Sequence, residues 1–218
     1  MKNRAILKII KMLYKSYEVD VRKEKPFEVL IHGILSARTK DETTYPAQRR
    51  LLKVANTPQK LMQLPVKHIR DLIYPVGFYR TKARHLKKTC KILVDKFNSK
   101  VPNTREELKT LPGVGGKIAD IVLLFGFGNE VIPVDSHVAW VAKQLKWTDS
   151  KQPEKVREDL HKIIPEKMRP FINQLLVEHG KKVCKTGRPK CQICPVEKYC
   201  PSSRLKNTFM TIHKKINL

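Results

Sequence analysis

Gly113, Gly115 and Gly116 precede Lys117 in the stretch LPGVGGKIAD. Glycines reach positive φ and admit close approach of another backbone. A glycine turn that opens onto a helix leaves backbone N–H groups pointing outward. With the helix dipole they make an anion site that needs no side chain, and a phosphate fits it. An ordinary tight turn between two helices is the plainer use of the same glycines. The spacing is not that of a nucleotide P-loop, because no Ser or Thr follows the lysine. The positive end of a helix dipole favours a neutral amine over an ammonium, and a neutral amine is a nucleophile. The next apolar run, IADIVLLFGFG, predicts burial beside Lys117. Asp120 opposes the nucleophile reading: at i+3 it is placed to pair with Lys117, worth about 0.2–0.5 kcal/mol on an exposed helix.

A second set of residues carries metal chemistry. Cys184, Cys191, Cys194 and Cys200 follow the spacing C-x6-C-x2-C-x5-C. Four thiolates this close together form a metal centre, and both zinc and an iron–sulfur cluster accept tetrahedral sulfur ligation. Cys90 stands apart on an apolar helical face and reads as core. Asp135 precedes SHVAWVAKQL and reads as a helix N-cap.

The chain that positions these residues has 218 residues, enough for one large domain or two small ones. Lys and Arg number 45 against 20 Asp and Glu, a formal net charge of +25. Such an excess repels itself unless a polyanion binds, and nucleic acid is the polyanion it best fits. No apolar run reaches membrane-spanning length. Lysines interrupt the apolar residues of MKNRAILKIIKMLYKSYEV, which excludes a signal-peptide core. An intracellular protein is expected, in the cytoplasm and nucleoid of a prokaryote or the nucleus of a eukaryote. Disulfides are not expected there.

Helical periodicity dominates. Ile6, Ile9, Ile10, Leu13 and Tyr17 share one face. Phe27, Leu30, Ile31, Ile34 and Leu35 mark a helix before Arg38. Leu86, Cys90, Leu93, Val94 and Phe97 mark another. Further helices fit Val138 to Leu145, Leu160 to Ile164 and Phe171 to His179. Only VIPV, Val131 to Val134, reads as strand-like. The fold class is all-α. Basic residues concentrate in 80–100 and 181–218. YPVGFYRTKARHL (74–86) faintly echoes LPGVGGKIADIVL (111–123): each is a glycine turn followed by a helix with an early lysine.

LPGVGGKIAD resembles the helix-hairpin-helix of the endonuclease III family of DNA base-excision glycosylases. The likeness extends to LSARTKDE (35–42), VGFYRTKA (76–83), VDSH (134–137) and CKTGRPKCQICPVEKYC (184–200), in order along nearly the whole chain. It implies a two-lobed all-α fold. Residues 19–129 would form a six-helix barrel carrying the hairpin, and 1–18 with 130–218 an iron–sulfur cluster domain. It implies a bifunctional glycosylase and abasic-site lyase acting, as a monomer, on double-stranded DNA with oxidised pyrimidines or abasic sites.

Within that resemblance Lys117 is the nucleophile. Its amine attacks C1′ of the sugar, expels the base and leaves a Schiff base that permits β-elimination. Asp135 is the catalytic aspartate, and His137 a structural or phosphate-side residue. The four cysteines hold a [4Fe–4S] cluster, and the loop presents Lys185, Arg188 and Lys190 to phosphates. Arg38 and Phe78 fill the gap left by the flipped nucleotide. The family more often has glutamine and an aliphatic residue there, and asparagine at the Asp120 position. Core packing for Phe78 and a phosphate contact for Arg38 are the plainer uses. A mismatch-specific adenine or thymine glycosylase is the alternative within the superfamily. A non-catalytic DNA-binding module is the alternative outside it.

Overall fold

The structure, a computed structural model, describes residues 2–205. The ends of the expected second lobe, Met1 and 206–218, and with them the tail of the basic stretch 181–218, lie outside the described residues. Among the described residues every regular element is helical. The chain divides into two compact units, Arg22–Asn129 and the pair of segments Met1–Val21 and Glu130–Leu218.

The unit Arg22–Asn129 is built around α2 (Pro26–Ser36). Its residues Val29, Leu30, Ile31, Gly33, Ile34 and Leu35 are all buried, so α2 is covered around most of its circumference, with Glu28, His32 and Ser36 partly exposed. Helix α3 (Asp41–Val54) packs on it, as does the later and longer α6 (Tyr79–Phe97), while the short α4 (Pro58–Gln63) and α5 (Val66–Ile73) pack on α6. Helix α6 buries one stripe, including Ala83, Leu86, Thr89, Cys90 and Leu93. Thr57 caps α4, its side chain accepting from Lys60 N–H at 3.3 Å, with Pro58 in the first turn.

Helix α7 (Arg105–Lys109) opens on Thr104 as its N-cap. Thr104 Oγ1 accepts from Glu107 N–H at 3.3 Å, and the same hydroxyl lies 2.6 Å from Glu107 Oε2. After a tight turn the chain enters α8 (Gly116–Ile121), which widens into a π-helical turn over Val122–Phe127. Gly33 lets α8 close on α2: a Cβ at Gly33 would lie 2.7 Å from Ile118 Cγ2.

In the other unit, α1 (Lys2–Ser16), α9 (Ser136–Gln144), α10 (Pro153–Ile163) and α11 (Arg169–Lys182) share a core. Ile9, Ile10, Leu13, Val138, Val141, Leu160, Leu175 and Leu176 are its buried members. The strand-like VIPV forms no strand. Side chains satisfy its backbone instead. Ile132 N–H donates to His161 Nε2 at 3.1 Å, and Asn173 Nδ2 donates to Pro133 O at 2.7 Å. Among the described residues no helix is long and apolar enough to cross a membrane.

Candidate active site

The glycine turn sits between α7 and α8, as its sequence requires. Gly113 has φ 83°, and a Cβ there would meet His85 Nδ1 at 2.9 Å. Gly115 is the N-cap of α8, with no side chain to accept from the first-turn N–H groups. Those groups are left for an external acceptor.

Lys117 follows in the first turn and is exposed. The expected burial beside it does not occur. The buried residues of this segment are Ala119, Asp120, Val122, Leu123 and Leu124, and Lys117 is not among them. The expected Lys117–Asp120 pairing is also corrected. Asp120 is 1% exposed and accepts from Arg105 Nε at 3.0 Å, which straps α8 to α7. The position three residues beyond the lysine braces the hairpin.

Arg38 and Phe78 come from segments 40 residues apart, yet the Arg38 guanidinium carbon stands 5.7 Å from the Phe78 ring centroid. Phe78 is 62% exposed, so core packing does not account for it. Both residues are left-handed, with φ 53° and 57°. They border a cleft shared with Lys82, His85 and Gly113.

In the other unit, Asp135 caps α9, Oδ1 accepting from Val138 N–H at 2.8 Å. It remains partly exposed. His137 packs over Gly180, where a Cβ would lie 3.1 Å from its Nδ1.

The four cysteines follow α11 and border one cavity. Short 3₁₀ turns at Cys191–Ile193 and Glu197–Tyr199 bring them round. Trp140 Nε1 donates to Cys184 O at 2.9 Å and anchors the loop to α9. All four are free thiols. Burial pushes the Cys184 thiol up to about 12, and the neighbouring Cys200, Cys194 and Cys191 add to the shift. Burial also raises Cys194. Clustered thiolates repel one another without a cation among them, so the donor set fits a metal centre. Among the described residues no three His, Cys, Asp or Glu side chains converge on a point fit for a single ion. Lys185, Arg188 and Lys190 are exposed on the same loop.

Residues 31–166 match the HhH-GPD superfamily of base excision DNA repair proteins. Endonuclease III of Thermotoga maritima is 38% identical over 195 residues, which span 89% of this chain and 92% of that one. The chain belongs to the endonuclease III family. Endonuclease III of Escherichia coli K12 is 37% identical over 175 residues, spanning 80% of this chain and 83% of that one. A structure of a trapped endonuclease III–DNA covalent intermediate aligns with TM-score 0.85 and 31% identity over 94% of this chain and 99% of that one. Membership makes the chain a base excision repair enzyme, a DNA glycosylase and abasic-site lyase.

Two features of this endonuclease III family member escape a reading by motif. The Arg105–Asp120 strap joins residues 15 apart, and only the fold-back of the hairpin brings them together. Lys82 is 5% exposed although it is a lysine, and burial pushes its amine down to about 8. Helical spacing carried that signal, since Lys82 falls on the stripe of Leu86, Thr89 and Leu93.

Proposed function

We propose that this enzyme excises oxidised pyrimidines of the thymine-glycol type from double-stranded DNA and then cleaves the abasic site through a Schiff base on Lys117. The observation that carries the reading is an exposed lysine in the first turn of α8, directly after an uncapped glycine N-terminus. A phosphate held by the first-turn N–H groups would bring the sugar to the amine. Lys117 Nζ attacks C1′, the C1′–N bond breaks and the base leaves with the electron pair. The attached amine loses a proton, its nitrogen lone pair then breaks the C1′–O4′ bond and opens the sugar ring, O4′ takes up the proton, and the iminium forms at C1′. That iminium acidifies the C2′ proton, and its removal expels the 3′ phosphate by β-elimination.

Asp135 is assigned the role of stabilising positive charge at C1′ and assisting proton transfer. Its N-cap bond supports this, because it fixes the carboxylate at the start of α9 while leaving the group partly exposed. The damaged nucleotide leaves the base stack for this chemistry. Arg38 and Phe78 are assigned to the gap it leaves, and their joint position on one cleft supports that. Gly113, Gly115, Gly116, Lys185, Arg188 and Lys190 are assigned to phosphates.

Cys184, Cys191, Cys194 and Cys200 are assigned to a [4Fe–4S] cluster. When bound, the cluster supplies four iron–thiolate bonds that cross-link the loop bearing the three basic residues. The enzyme is proposed to act inside the cell as a monomer.

Borohydride trapping on a thymine-glycol duplex tests the reading. The wild-type chain forms a covalent protein–DNA adduct, and Lys117→Gln forms none while still binding DNA. Equal trapping by Lys117→Gln sinks the Schiff-base assignment. Trapping on an abasic site but not on thymine glycol sinks the substrate class.

A further inference from the structure

Lys82 buries a cation within reach of the gap-filling pair. Its Nζ donates to Leu35 O and Ala37 O, each at 2.6 Å, and to Thr39 Oγ1 at 3.1 Å. An ammonium has three N–H donors, so these three acceptors use all of them. No lone pair is left, and Lys82 is not a second nucleophile in this state. Leu35 and Ala37 lie at the C-terminal end of α2, where carbonyls lack intrahelical partners and the dipole favours a cation. Helix α2 has no basic residue of its own in its last turn. The cation comes from α6.

The same contacts join two strained segments. Arg38 lies between two of the residues that Lys82 grips. Phe78 lies four residues before Lys82, and its carbonyl accepts from Lys82 N–H at 3.0 Å. Gly77 N–H donates to Thr39 Oγ1 at 3.1 Å, so one hydroxyl serves both segments. A Cβ on Gly77 would fall 2.9 Å from Arg38 O, which shows how closely they approach. Non-glycine residues at positive φ persist only where surrounding contacts hold them. Arg38 and Phe78 are two such residues, one on each segment.

We propose that Lys82 is a positioning residue: it fastens the Arg38 loop to the Phe78 turn and holds the two side chains as one preformed wedge for the gap in the duplex. This rests on the gap-filling reading of Arg38 and Phe78. A wedge held in place before DNA arrives avoids ordering the two segments during binding.

Lys82→Met removes the three donors and keeps an unbranched side chain that fits an apolar site. Wild type, Lys82→Met, Phe78→Ala and the double variant are compared on thymine glycol in duplex and in single-stranded DNA. A second measurement follows the fluorescence of 2-aminopurine placed opposite a tetrahydrofuran abasic analogue at saturating protein. The duplex-to-single-strand excision ratio falls about tenfold in Lys82→Met, the 2-aminopurine response shrinks, and the double variant is no worse than Phe78→Ala alone. Equal loss on both substrates, or losses that multiply in the double variant, overturn the proposal while leaving the wedge itself standing. An unchanged ratio in Phe78→Ala overturns the gap-filling reading and the proposal with it. If Lys82→Met does not fold, Thr39→Val removes the shared hydroxyl. It lowers the ratio in the same direction, and an unchanged ratio there overturns the proposal.

Discussion

Arg105 Nε lies 3.0 Å from Asp120 Oδ1, and the pair is enclosed, with side-chain exposures of 15% and 1%. It joins α7 to α8 and so closes the hairpin. The carboxylate therefore braces the helix on which Lys117 stands. Removing one partner of an enclosed pair strands the other charge. Asp120→Ala is expected to cost about 3 kcal/mol of stability, measured by denaturant unfolding. A cost below about 0.5 kcal/mol would place the pair among solvent-screened surface bridges.

Asp135 separates capping from catalysis in one substitution. Asparagine caps a helix about as well as aspartate, and its side-chain oxygen can still accept from Val138 N–H. Asp135→Asn should therefore unfold within about 1 kcal/mol of the wild type. It should nevertheless slow base excision by orders of magnitude, and slow cleavage of a preformed abasic site less. Excision at the wild-type rate, measured in single-turnover assays, would leave Asp135 as a cap alone.

The all-α class, the hairpin turn and the cysteine spacing were legible because each is local. Apolar residues repeat at helical spacing, glycines mark the turn, and four cysteines fall within one loop. What the sequence did not disclose lies in contacts across the fold. Asp120 finds Arg105 rather than Lys117 because α7 and α8 fold back on each other. The acceptors of Lys82 are mainly backbone carbonyls, which leave no mark in the sequence. Arg38 and Phe78 take positive φ although neither is a glycine, so their residue types did not mark that conformation.

The cysteine loop makes a prediction about both metal and DNA. Cys191→Ser should abolish absorbance near 400 nm and destabilise the unit that contains α9 and α11. Full iron content in that variant would mean the ligand set is wrong. Exposed lysines and arginines that neutralise phosphates steepen the salt dependence of binding. Lys185→Ala, Arg188→Ala and Lys190→Ala should each lower the slope of log K against log salt by about 1. The cysteine variant should resemble the three combined, because the loop that presents those side chains is no longer fixed. An unchanged slope in the triple variant would remove the loop from the DNA interface.

The last prediction concerns Phe78 and Arg38 themselves. Phe78 presents a ring that is 62% exposed, and the Arg38 guanidinium sits over it at 5.7 Å. An exposed aromatic ring at a strained position costs the isolated protein and gains nothing in its core. Stacking on a base supplies roughly 1–3 kcal/mol, enough to offset a similar loss when a nucleotide leaves the helix. Phe78→Ala is therefore expected to lower excision from duplex by about tenfold or more, with much less effect on single strands, where no gap needs filling. Arg38 adds donors to that surface, and a guanidinium pairs best with the acceptors of guanine. Arg38→Ala should weaken dependence on the base opposite the lesion, with guanine losing most. Rates for the four opposite bases decide between a wedge and a phosphate contact. A uniform loss across all four, with a shallower salt slope, would make Arg38 a phosphate contact. A selective loss at guanine with the slope unchanged would place its guanidinium on the orphaned base.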